Sequence, residues 1–378
     1  MSYDLRIYTI NKPDFSGIKN MPNIEMNEDA IILPSKNHQI VISKDTPIEN
    51  EDIPQQISKE LPGLSYLIEC NLEPWTDNEN RIKELLKVAK IIAKESIGVI
   101  ENPQTDEIIL PSGVKRVLEF EKIERFSIIK MSWWFNDDSL LNSNKLKLLL
   151  EAIEKYIPEA LPRRYGEYEP TTEKFTDIAT FHDYILGHAK KQIVWYPSKP
   201  VDNVHLGFPD FIGPDRRGYR FGQFSVSIDS AVLTMPGWKT TIVRFFKSVS
   251  RILDPFYGDI YILKNYIRAR TTSYIDGKTE RHPICSWWWN GVPRKPGVGI
   301  VIGRPLLDYA KIKNPTFVLD NGCEILLDEQ FDEIQTEDIV IHNQILQPRA
   351  KIISNGRGYG FSGLYPKKWP FSGPKQKN

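Results

Sequence analysis

Residues 126–135 read Phe-Ser-Ile-Ile-Lys-Met-Ser-Trp-Trp-Phe, a run of high β propensity that stops at Asn136-Asp137-Asp138. Consecutive side chains of a strand point to opposite faces, so Trp133 and Trp134 cannot fill the same core. Two neighbouring indoles therefore call for a sheet buried on both faces, and helices are the expected cover. A chain of 378 residues, 40% hydrophobic and 11% aromatic, has enough material for such layers and is comfortable as two domains. For the second cluster, Trp287-Trp288-Trp289, core filling and an aromatic anchor on a binding surface are evenly matched. Pro283 and Gly291-Val292-Pro293 flank it, and tryptophan is enriched among residues that dominate affinity.

Hydrophobic periodicity divides the chain near residue 125. In residues 1–125, strands are expected at 5–10, 39–43 and 64–72. A helix is expected at 78–95, where Ile82, Leu85, Leu86, Ala89, Ile92 and Ala93 recur at helical spacing. A strand, turn and strand follow across 98–110. Residues 126–348 form the larger domain. A helix capped by Ser143 or Asn144 carries Leu146, Leu149, Leu150 and Ile153 on one face and is interrupted by Pro158 and Pro162. Further helices are expected at 174–188 and after Pro236-Gly237, with strands at 193–196, 220–233, 297–302 and 317–319. Strands and helices do not alternate regularly enough for a doubly wound or barrel fold. The fold class is therefore α+β: two domains, each a mixed or antiparallel sheet with helices packed on one side.

Lys+Arg and Asp+Glu both number 49, so the net charge is zero. A dedicated nucleic-acid binder normally carries surplus positive charge to displace counterions, and neutrality argues against that role. Charge is nonetheless divided near the C-terminus. Residues 324–338 hold seven acids (Glu324, Asp328, Glu329, Asp332, Glu333, Glu337, Asp338) and no base, whereas 339–378 hold seven bases and no acid. Residues 349–378 read as an extended basic tail rich in Gly, Pro and aromatics, the one segment suited to nucleic acid. Within it, 355–363 (Asn-Gly-Arg-Gly-Tyr-Gly-Phe-Ser-Gly) lacks the Lys-Ser/Thr of a phosphate loop.

Cys70, Cys285 and Cys323 make neither a disulfide framework nor a metal knuckle and are expected to be reduced thiols of a cytoplasmic protein. The first ten residues lack the pattern of a signal peptide, and no stretch approaches the roughly 20 apolar residues of a membrane span. No membrane partner and no cofactor are expected. There is no Gly-x-Ser-x-Gly elbow, and the six histidines form no His-x-x-x-His pair. Asp137, Asp138, Glu167, Glu169 and Glu173 would serve a metal-dependent nuclease or hydrolase, as in a phage-defence system, only if they converged in space. The arginine pairs Arg163-Arg164 and Arg216-Arg217 would clamp an anion or pair with the domain's own carboxylates; neutrality favours the second.

The phrases Ser132-Trp-Trp-Phe-Asn-Asp-Asp, Pro158-Glu-Ala-Leu-Pro-Arg-Arg-Tyr-Gly, Val194-Trp-Tyr-Pro, Pro236-Gly-Trp and Ser286-Trp-Trp-Trp resemble a set of bacterial proteins. Their plan is similar to the immunity proteins that accompany polymorphic and type VI secretion toxins. The resemblance covers residues 126 to about 305 and brings no catalytic residues. It implies a cytoplasmic antidote that binds a cognate protein toxin and blocks its active site. Glu324, Asp328, Glu329, Asp332, Glu333, Glu337 and Asp338, with Trp287, Trp288 and Trp289, are the expected contact surface, since nucleic-acid-directed toxins have basic clefts.

Overall fold

The computed structural model describes the chain apart from residues 1, 20, 22, 28–29, 36, 75, 118–123, 136–139, 141–143, 168–170, 172, 190, 192, 209–220, 269–272, 284–288, 290, 294–295, 335, 342–343, 347–363 and 367–378. The chain divides into two compact units, Met1–Ile123 and Glu124–Asn378. All described strand pairings are antiparallel, giving the α+β class expected from the sequence.

The first unit runs β1 (Tyr3–Thr9), α1 (Ser16–Lys19), β2 (Glu25–Met26), β3 (Ala30–Pro34), β4 (Gln39–Ser43), β5 (Thr46–Pro47), α2 (Gln55–Glu60), β6 (Tyr66–Glu73), α3 (Glu79–Glu95), β7 (Gly98–Asn102), β8 (Glu107–Ile109) and β9 (Lys115–Val117). The strands form one sheet in the order β2-β3-β4-β6-β1-β7-β8-β9, with β5 also beside β6. The Asn78 side chain accepts from Asn80 N at 3.0 Å and starts α3. Leu85, Val88, Ala89, Ile92 and Ala93 of α3 pack on Leu5, Ile7, Ile42, Ile68 and Cys70. The opposite face carries a smaller core in which Ile57 of α2 meets Tyr8, Val99 and Ile108.

The second unit opens with β10 (Arg125–Phe135) and α4 (Lys145–Tyr156), then β11 (Arg164–Gly166), β12 (Glu173–Lys174), α5 (Ile178–Gly187), β13 (Val194–Tyr196), β14 (Val201–Gly207) and β15 (Gly222–Asp229). It continues through α6 (Trp238–Leu253), β16 (Tyr257–Arg268), β17 (Ser273–Tyr274), β18 (Gly299–Ile302), β19 (Ala310–Ile312), β20 (Phe317–Val318), β21 (Glu324–Leu327), β22 (Ile339–Ile341), β23 (Gln344–Leu346) and β24 (Leu364–Pro366). The main sheet is ordered β14-β15-β10-β16-β18-β21-β20, with β17 beside β16. Helices α4, α5 and α6 share one core on one face, to which they bring Leu149, Phe181, Phe245 and Phe246; the last two pack on Trp133. The Trp133 indole stacks on Phe224 at 5.5 Å and donates to Ser250 Oγ at 3.0 Å.

Trp134 is fully buried on the other face, with Phe221, Phe256, Tyr257, Trp289, Ile300 and Ile302. Both faces are dry, as adjacent indoles require. The second face, however, is covered not by a described α-helix but by connecting segments, a short 3-10 turn at Leu306–Asp308 and the β19–β22 pair. Other boundaries also shift. Helix α5 starts at Ile178 rather than 174, because the Asp177 carboxylate caps Thr180 N at 2.8 Å; Lys174 lies in a strand. Strand β15 stops at Asp229, whose carboxylate accepts from Ala231 N at 3.0 Å and turns the chain into a short 3-10 segment, Ser230–Thr234. Residues 364–366 of the basic tail are not simply extended: they pair with 344–346 as β24 and β23.

Candidate functional site

The acidic stretch divides into carboxylates that hold the fold and carboxylates that face solvent. Glu324 starts β21, and its Oε2 accepts from Ile312 N at 3.1 Å. Asp328 Oδ1 accepts from Gln330 N at 2.8 Å and Asp332 N at 3.2 Å, closing a tight turn. The turn is pinned at both ends: Asp328 N donates to Val298 O at 3.1 Å and Ile334 N to Gly297 O at 2.7 Å. At its centre Phe331 adopts φ 68° and drops its ring into the helix-side core. A phenyl ring held in the left-handed region is strained, and burial of its apolar surface offsets that strain. Glu329, Asp332 and Glu333 are left exposed around the buried ring, and Glu337 is exposed shortly after; Asp338 is half-buried. Lys239 reaches this turn, its Nζ donating to Gln330 O at 3.2 Å.

Trp289 does not join that surface as expected. Trp289 is fully buried, edge-on to Phe256 at 5.1 Å and tilted against Tyr257 at 5.6 Å. Its large apolar area is worth more inside an aromatic core than at a rim. Trp287 and Trp288 lie outside the described residues, as do Asp137, Asp138, Glu169, Arg216, Arg217 and residues 355–363. Glu167 is engaged by Lys191 Nζ at 2.6 Å and His188 Nε2 at 3.1 Å, while the His188 ring stacks on Tyr184 at 4.0 Å. Among the described residues no group of three His, Cys, Asp or Glu side chains is placed to hold a metal ion. Cys70 and Cys323 are buried free thiols, and burial raises both above the ordinary thiol range.

A second constellation was not anticipated. On the sheet face opposite the helices, register aligns His205, Ser225, Ser132 and Asp259 in one row. Gln223, Trp134 and Tyr257 form the next. Asp259 has no exposed surface, and its Oδ1 lies 2.9 Å from His282 Nε2. The His282 ring sits over Trp134 and Tyr261 at 6.0 and 4.7 Å. Around this pair, Ser132 Oγ, Trp134 Nε1 and both amide atoms of Gln223 have no hydrogen-bond partner among the described residues. Burial, with Asp259 close by, pushes the Tyr257 hydroxyl well above the usual tyrosine range. Burial, with Lys130 adding like charge, lowers His205 to about 4. The signal was present in the alternation of Tyr257, Asp259 and Tyr261 with Gly258, Ile260 and Ile262, which marks a strand with one polar-aromatic face and one small or aliphatic face.

No helix among the described residues is long and apolar enough to cross a membrane. No family model matches the chain, and no curated protein matches it either.

Proposed function

We propose that this chain is a non-enzymatic binding protein, a toxin-neutralising immunity protein of the bacterial cytoplasm that occupies the basic active-site cleft of a cognate protein toxin. The observation that carries this reading is the acidic turn after β21. Glu329, Asp332 and Glu333 stand exposed on a backbone fixed by the Asp328 carboxylate, by two bonds to residues 297 and 298 and by the buried Phe331 ring, and Glu337 is exposed just beyond it. A preorganised surface gives up less freedom on binding, and clustered like charge speeds encounter with an oppositely charged cleft. Glu324, Asp328 and Asp338 support this surface; Trp289 belongs to the core and not to the contact.

The experiment is co-purification of the chain with the products of the neighbouring genes, followed by calorimetry. A tight complex with one product that is toxic when expressed alone is expected. A triple reversal, Glu329→Lys, Asp332→Lys and Glu337→Lys, is expected to weaken it at least about 100-fold, the scale of losing several charge contacts. Tight binding untouched by the reversal would remove the acidic turn from the interface.

A further inference from the structure

The arginine pair singled out in the sequence separates into two different environments. Arg163 is held by backbone: its N donates to Tyr196 O at 2.7 Å and its Nε to Pro197 O at 3.4 Å. Arg164, the next residue along β11, points to the opposite face and is only 8% exposed. Its Nε has no hydrogen-bond partner, and no ion pair joins it to a carboxylate among the described residues. The acid nearest in sequence, Glu167, is already engaged by Lys191 and His188. A guanidinium cannot lose its proton to relieve such burial, so an unpaired buried arginine is strongly unfavourable unless an anion completes the site.

A second orphan lies on the same face. The Cα hydrogen of Gly166 points the way a side chain would, and Thr171 sits there: a Cβ built on Gly166 would come within 3.4 Å of Thr171 Cα. By alternation Arg164 and Gly166 share that face, whereas Tyr165 faces the helix core against Phe181. Thr171 is 2% exposed, and its hydroxyl also lacks a partner among the described residues. Lys174 stands directly across from Arg164 in β12 and adds positive charge.

We propose that Arg164 and Thr171 form a binding site for an oxyanion, a carboxylate or a phosphate group. The guanidinium supplies the charge and directed N–H donors, and the threonine hydroxyl a further donor. The site is distinct from the acidic turn, which selects for cations.

The test is thermal unfolding of the full chain in sodium chloride, acetate, inorganic phosphate and methyl phosphate at matched ionic strength. A saturable rise in Tm of about 3 °C or more is expected with at least one oxyanion. Acetate separates a carboxylate ligand from a phosphate, and methyl phosphate separates an ester from the free ion. Arg164→Met is expected to abolish the rise and, by removing an unpaired buried charge, to raise Tm in chloride. Thr171→Val is expected to leave the chloride Tm within a few degrees and to shift the half-saturating anion concentration upward about fivefold, the scale of one hydrogen bond. Should Arg164→Met fail to fold, Thr171→Val and Arg164→Lys carry the comparison. A wild-type Tm indifferent to all the oxyanions overturns the site. So does a rise that survives Arg164→Met, or one that Thr171→Val and Arg164→Lys leave unchanged.

Discussion

Asp259 and His282 illustrate what burial demands of single residues. A carboxylate with no exposed surface is tolerable because His282 meets one of its oxygens at 2.9 Å. His282→Leu is therefore expected to be destabilising by about 3–5 kcal/mol, because the Asp259 carboxyl is left buried without that partner. The neighbours behave differently. Ser132 Oγ and both amide atoms of Gln223 have no partner to lose, so Ser132→Ala and Gln223→Met are expected to be neutral or to stabilise by about 1 kcal/mol each in urea unfolding. A loss of more than about 1 kcal/mol from either would show that the hydroxyl or amide is satisfied in the folded protein.

His205 gives the pH counterpart. Its folded-state value lies near 4 against an ordinary 6.5, so between those limits the unfolded chain takes up a proton that the folded chain refuses. Folding stability is unaffected by this residue above about pH 6.5 and falls as the pH drops toward 4, by up to about 3 kcal/mol. Unfolding of the wild type and His205→Gln at pH 7 and pH 4.5 checks this: the variant should lose less stability on acidification, and equal losses would refute it.

At the level of elements, the sequence was most legible where one period ran without interruption. Helix α3 falls within a residue of the expected 78–95, because its apolar spacing and its Asn78 cap agree. Strand β10 was legible because Trp133 and Trp134 can coexist only across a sheet buried on both faces. Strand β16 escaped notice although it pairs with β10 along most of its length. Its Lys264, Asn265 and Arg268 end blurs the alternation that Tyr257, Asp259 and Tyr261 begin. The polar-aromatic face was illegible for a related reason: Ser132, Gln223 and Asp259 are far apart in the chain and meet only through register. The acidic stretch was visible as composition, but its division into structural and exposed carboxylates depends on the turn around Phe331, which charge alone does not reveal.

Register also makes one small residue indispensable. Gly222 lies opposite Phe135, and a Cβ placed on it would land on the Phe135 ring. Gly222→Ala is expected to destabilise by about 1–3 kcal/mol, measured by urea unfolding, with partial recovery in the double variant Gly222→Ala, Phe135→Leu. Strict additivity of the two substitutions would show that the ring is not the obstacle.

For the whole molecule, a net charge of zero conceals an uneven distribution, with exposed acids gathered on the pinned turn after β21. A surface of that kind associates quickly with a cationic partner at low salt and more slowly as salt screens it, while the fixed turn limits the freedom surrendered on docking. The direct measurement is calorimetric titration of the chain with the toxic product of an adjacent gene, at 50 and 300 mM salt, beside the triple variant Glu329→Lys, Asp332→Lys, Glu337→Lys. Tight binding that weakens with salt and falls about 100-fold or more in the variant is the predicted result; no binding to any such product, or binding equally tight in the variant, would contradict it.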